Sequence, residues 1–190
     1  MGSKKERTRE HILEVSYRLF AKNGFNKVTM KDICEATNLS RGGLYSHFSS
    51  TRELFEAILE KINQKDEMNF QEEMERGISA TEILKNALVL MEDEMNHPED
   101  SLSLAMYEYA GSVETDLMDH FNKIGEYKWT ALIEYGIARG EFRNVNVSEI
   151  VNIILYAYQG VRMWSRIVNM TSEVFASITN HIKKQLIKEW

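Results

Sequence analysis

A chain of 190 residues with 43% apolar and 27% charged side chains has the size and composition of one ordinary globular domain or two small ones, which excludes a disordered polymer. A single proline, Pro98, in a sequence rich in Leu, Ile, Met, Glu and Lys points to an all-helical protein, and the single cysteine, Cys34, excludes an internal disulfide and fits a reducing compartment. The net charge of −6 hides an asymmetry: residues 1–52 hold ten Lys/Arg and five Asp/Glu, a balance of +5, while the remainder carries −11. A polyanion partner for the head and plain solvated charge both account for it.

The elements follow in chain order. A first helix is predicted from about Thr8 to Asn23, with Ile12, Val15, Leu19 and Phe20 on one face and Gly24 as its stop. Thr29 caps a second helix ending near Thr37, with Asp32 at its positive end and Asn38 supplying a left-handed exit. Ser40 caps a short third helix ending near Phe48, and Ser50 caps a fourth over 51–75. Further helices are predicted over 81–96, 101–110, 114–139, 148–166 and 172–189, about nine in all. No apolar run reaches the roughly 18 residues of a spanning helix, and MGSKKERTRE lacks the apolar segment of a secretion signal. The expectation is a cytoplasmic protein with no membrane partner.

A helix, a tight turn and a second short helix form the helix-turn-helix design, whose second helix enters the major groove with its N-terminal residues toward the base edges. Ile33, Leu39 and Leu44 are placed to lock the two helices together, and Cys34 reads as a small buried hydrophobe rather than a redox sensor. Adjacent glycines, Gly42 and Gly43, open the third helix although each costs roughly 1 kcal/mol relative to alanine. At a recognition tip they remove bulk between backbone and DNA; the other reading makes them part of a turn. Arg41 is placed to reach phosphate or guanine, and Tyr45 and His47 add donors and aromatic surface. Thr29, Thr51 and Arg52 stand at helix starts suited to a phosphate.

The stretch ILEVSYRLFAKNGFNKVTMKDICEATNLSRGGLYSHFSSTRELFEAIL, residues 12–59, resembles the DNA-binding domain of the tetracycline-repressor (TetR) family. ALIEYGIARGEFR, 131–143, is similar to a segment that precedes the last two helices of that family. The resemblance implies an all-α homodimer: a three-helix helix-turn-helix domain at 1–50, and a C-terminal helical domain at 51–190 that dimerises and binds a small inducer. It implies DNA contacts from Thr29, Ser40, Arg41, Gly43, Tyr45 and His47. Asn38 stands where the family usually has glycine, Ser46 where an aromatic is frequent, and Thr51 where a phosphate-binding lysine is common. Ser46 and Thr51 are kept as candidate contacts, with Arg52 as a substitute for the lysine. Lys4, Lys5, Arg7 and Arg9 precede the predicted first helix, either along DNA or as solubilising charge.

The body supplies Met91, Met95, Met106, Tyr107, Tyr109, Phe121, Tyr127, Trp129, Tyr156 and Trp164, a set suited either to an adaptable apolar pocket or to the core. The helix at 148–166 is apolar on all sides, so a partner subunit is expected to cover part of it. Val151, Leu155, Val174, Ile178, Ile182 and Leu186 are the candidate dimer contacts in a four-helix interface; the alternative places both helices in the chain's own core. No nucleophile elbow, P-loop, dinucleotide fingerprint or zinc spacing is present, so no catalytic residue, cofactor or metal is expected. The predicted function is a repressor that binds a pseudo-palindromic operator on double-stranded DNA and is released by a small-molecule inducer. The alternative is a DNA-binding regulator without an inducer, working through a protein partner or as an activator.

Overall fold

The computed structural model describes residues 3–64, 70–113 and 116–188. Among them are ten α-helices and no strand. They are α1 (Lys4–Asn23), α2 (Met30–Thr37), α3 (Arg41–Tyr45), α4 (Thr51–Gln64), α5 (Phe70–Glu75), α6 (Ala80–Asn96), α7 (Ser103–Ser112), α8 (Leu117–Ala138), α9 (Val147–Trp164) and α10 (Ser172–Leu186), with a single 3-10 turn at Pro98–Asp100. The helix expected over 51–75 is seen as α4 and α5, and 65–69 lie outside the described residues. The expected start at 114 and the expected end at 189 also lie outside them.

Local chemistry sets most helix starts. Ser3 and Glu6 form a capping box, so α1 begins at Lys4 rather than near Thr8. Lys4, Lys5, Arg7 and Arg9 are thus the first turns of a helix, not an arm ahead of one. Thr29 and Asp32 form a second capping box on α2, and Ser40, Ser79 and Asn146 cap α3, α6 and α9. Asn38 ends α2 at φ 56°, the left-handed conformation expected of it.

The chain divides into two compact units, one of Met1–Glu67 with Leu102–Glu114, the other of Met68–Ser101 with Thr115–Trp190. The first unit packs α2, α4 and α7 against α1. Its core joins Ile12, Phe20, Ile33, Leu44, Phe48, Leu54 and Phe55, all essentially buried. Phe55 lies 4.9 Å from the Phe20 ring, 5.2 Å from Phe25 and 5.2 Å from Tyr109, an aromatic cluster spanning three helices and the turn after α1. The Glu108 carboxylate of α7 accepts from the Asn26 N–H at 2.9 Å and lies over Gly24.

Gly24 has φ 82° and ψ 175°, a region almost restricted to glycine. A Cβ built there falls 2.4 Å from Glu108 Oε2. Gly24→Ala should therefore cost about 1–3 kcal/mol from backbone strain, with Glu108 displaced as well. Urea unfolding followed by circular dichroism checks this; an unchanged midpoint would remove the argument.

In the second unit α6, α8, α9 and α10 surround one apolar core that includes Leu84, Leu88, Met91, Met95, Trp129, Leu132, Ile133, Ile154, Phe175 and Leu186. The 131–143 segment ties its elements together. Phe142 lies so close to Gly136 that a Cβ there would be 2.2 Å from the ring. Phe142 also forms an isolated bridge with Ile187 after α10. Gly140 turns the chain at φ 72°, and Glu141 accepts from the Thr81 N–H of α6 at 2.9 Å. The small residues, turn and aromatic of that stretch thus have a packing role.

The packing of the second unit bears on two expectations. Val151, Leu155, Ile182 and Leu186 are buried inside the chain's own core, because α6, α8 and α10 enclose the apolar sides of α9. Ile178 is half-buried against the core and Val174 is exposed. What α9 leaves to solvent is a strip at helical spacing: Ile153, Tyr156, Gly160 and Trp164. The ten candidate pocket residues are also not gathered in one unit. Met91, Met95 and Trp129 belong to the second core, and Phe121 is half-buried. Tyr127, Tyr156 and Trp164 are exposed, and Met106, Tyr107 and Tyr109 lie on α7 in the first unit.

Candidate nucleic-acid interface

The helix-turn-helix comprises α2, the turn at Asn38–Ser40 and α3. Ile33 and Leu44 are fully buried between the helices, and Phe48 closes the base. Cys34 is buried beside them, a packing role that matches its size. With Leu44 and Phe48 inward, Arg41, Gly42, Tyr45 and Ser46 are left exposed on the opposite side of the short helix, while Gly43 and His47 are half-buried. Tyr45 is 52% exposed, large for an aromatic side chain. The Arg9 guanidinium lies 4.9 Å from the Phe48 ring centroid, so this arginine braces the end of the motif.

The two glycines have different reasons. The Ser40 hydroxyl accepts from the Gly43 N–H at 3.1 Å, and a Cβ on Gly43 would sit 3.3 Å from that oxygen. Gly43 keeps the cap close. A Cβ on Gly42 would meet nothing within 4 Å, and its backbone is not in the left-handed region. Nothing inside the fold requires glycine at 42.

Hydroxyl chemistry qualifies three of the candidate contacts. Thr29 donates to Asp32 Oδ2 from its hydroxyl at 2.6 Å and from its N–H at 2.8 Å. These bonds hold the Asp32 carboxyl below its usual range, with the Thr29 hydroxyl the largest cause. The hydroxyl hydrogen expected to meet a phosphate is therefore given to a neighbouring anion. Ser46 donates to the Gly43 carbonyl at 2.7 Å, so its hydroxyl hydrogen is also held within the motif. Ser40 is exposed but serves as the cap. At the start of α4, Ser50 Oγ accepts from the Glu53 N–H, and the Glu53 carboxylate accepts from the Ser49 hydroxyl and N–H at 2.6 and 2.7 Å. Those bonds, the Ser49 hydroxyl first, lower the Glu53 pKa. Thr51 is half-buried there. Arg52 is exposed, its Nε donating to Glu56 Oε1 at 2.8 Å.

What remains at the recognition tip is Arg41, the open backbone at Gly42, and Tyr45. A cation, open backbone and an aromatic with a phenolic hydroxyl can take phosphates and base edges. No group of His, Cys, Asp and Glu suited to a metal occurs among the described residues, and no described helix is long and apolar enough to cross a membrane.

Residues 12–58 match the family model described as bacterial regulatory proteins, tetR family. The HTH-type transcriptional regulator YfiR of Bacillus subtilis is 26% identical over 163 residues, 83% of this chain and 79% of YfiR. A transcriptional regulator of the TetR family from Agrobacterium tumefaciens has the same fold, with a TM-score of 0.81 at 18% identity over 97% of this chain and 100% of that one. The ketosteroid transcriptional regulator KstR2 of Mycobacterium tuberculosis superposes with a TM-score of 0.70 at 19% identity, over 95% of each chain. With its helix-turn-helix in the N-terminal unit and an all-helical body, this chain carries a tetR-family DNA-binding domain over residues 12–58 and has the fold of TetR-family transcriptional regulators.

Proposed function

We propose that this regulator is a repressor that binds a pseudo-palindromic operator as a homodimer and leaves it when a small apolar molecule binds the second unit. The observation that carries the DNA part is the recognition tip: Arg41, Gly42 and Tyr45 exposed together on α3 while Leu44 anchors it. Arg41 serves a phosphate or a guanine edge, Gly42 lets the backbone approach, and Tyr45 covers sugar or base. A dimer reads two half-sites about 34–36 Å apart, one helical turn. The exposed strip Ile153, Tyr156 and Trp164 on α9, with Val174 on α10, supplies apolar surface for the partner. Binding DNA also sets the place of action, the cytoplasm that holds the chromosome.

Inducer release is supported by the methionines of α6, Met91 and Met95, which repack readily around a guest. The likeness to a ketosteroid regulator fits an apolar ligand class. Release requires only that the ligand favour the state with the wrong half-site spacing, and it shifts the equilibrium by no more than its differential affinity.

Footprinting on a duplex selected from a random pool tests this. Two protected half-sites one turn apart, bound by two chains, are expected; a single half-site bound by one chain would overturn the dimer reading. In the same assay Arg41→Ala should weaken binding about tenfold or more and, if Arg41 holds a phosphate, reduce the salt slope by about one. Affinity equal to that of the parent protein would remove Arg41 from the interface.

A further inference from the structure

We propose that Tyr109 of α7 is a positioning residue for DNA binding, acting through Glu56 to set the guanidinium of Arg52 toward a backbone phosphate. The proposal rests on the DNA-binding reading of the first unit but adds a residue outside the helix-turn-helix. Tyr109 lies 53 positions beyond Glu56, past the 12–58 match.

The geometry is a short chain of fixed links. The Tyr109 ring is fully buried, 5.1 Å from Phe25 at a right angle and 5.2 Å from Phe55. A ring held on two sides has no freedom to swing, so its hydroxyl is a fixed donor. It donates to Glu56 Oε1 at 2.5 Å, and the same oxygen accepts from Arg52 Nε at 2.8 Å. Arg52 and Glu56 are one turn apart on α4. An exposed pair at this spacing is worth only a few tenths of a kcal/mol and leaves both side chains mobile. Pinning the carboxylate with a buried phenol changes that, because one partner of the pair no longer moves.

The choice of atom matters as well. Glu56 takes the Nε edge, which leaves the two terminal NH2 groups of Arg52 outside that bond. The Arg52 side chain is 54% exposed in the first turn of α4. A guanidinium held at Nε keeps its terminal nitrogens as further donors suited to an oxyanion. The flanking Thr51 lacks a charge of its own, so this cation is the one the start of α4 can offer. The chain on both sides of α7 belongs to the second unit, so a helix continuous in sequence with that unit is hydrogen-bonded through Glu56 to Arg52.

Tyr109→Phe keeps the ring and deletes the hydroxyl. Affinity for a selected 30-base-pair duplex is measured by fluorescence anisotropy across a salt series, in the parent protein and in an Arg52→Gln background, with thermal unfolding in parallel. The expected result is a three- to tenfold loss of affinity and a salt slope lower by about one in the parent, with no further loss once Arg52 is gone. An equal loss in both backgrounds would make Tyr109 a merely structural residue and overturn the proposal. No loss in the parent would overturn it too. Failure of the parent protein to bind any duplex is a different result, which removes the DNA-binding reading and this proposal with it.

Discussion

A Gly42→Glu protein should fold at least as well as its parent and bind the selected duplex about 100-fold more weakly or worse. The fold has room for the side chain, since a Cβ there meets nothing within 4 Å and the backbone is not left-handed. Leaving glycine in a helix returns roughly 0.5–1 kcal/mol, and an acidic group in the first turn suits the helix dipole. On DNA the same carboxylate would stand among phosphates, where like-charge contact costs several kcal/mol, and each 1.4 kcal/mol is tenfold. Thermal unfolding and anisotropy, run side by side, separate the two effects. Intact folding with intact affinity would mean that α3 does not face DNA. Gly43 is no substitute for this experiment, because its Cβ would crowd the Ser40 cap and confound stability with binding.

Phe55→Ala should cost the first unit about 3–5 kcal/mol, the usual range for emptying a phenylalanine site in a core. Phe55 is fully buried and touches rings from α1, from the turn after it and from α7, so no single neighbour can relax into the space. A loss of this size is a large fraction of a small domain's stability. Urea unfolding should show it as a lower midpoint, and DNA binding should fail in parallel above the new transition. A loss under about 1 kcal/mol would mean that the cluster collapses freely, contrary to dense packing.

The helix starts were legible because capping is local chemistry. Thr29 with Asp32, the Ser40 cap and the left-handed Asn38 follow from residues within three positions of one another. Ser3 and Glu6 carry the same local signal, and their capping box starts α1 at Lys4, ahead of the expected Thr8. The recognition tip was legible for the same reason, except that no sequence rule says which hydroxyls are already engaged; Thr29 and Ser46 donate within the motif. Burial of α9 was the harder case. A helix apolar on all sides must be covered, yet the pattern does not say whether by its own chain or by a second copy. Here α6, α8 and α10 cover Val151 and Leu155. Tyr109 was legible only as an aromatic at helical spacing, since its docking depends on a contact 53 positions away.

The placement of α7 bears on how this protein can be cut and recombined. A fragment ending near residue 67 would carry the whole helix-turn-helix but lack Tyr109, stripping one wall from Phe25 and Phe55 and leaving Glu56 without its buried phenol. Grafting that fragment onto another regulator's body would carry an unfinished module. The complete first unit is built from two stretches of polypeptide, the second lying between two parts of the other unit, so a single crossover cannot move it intact.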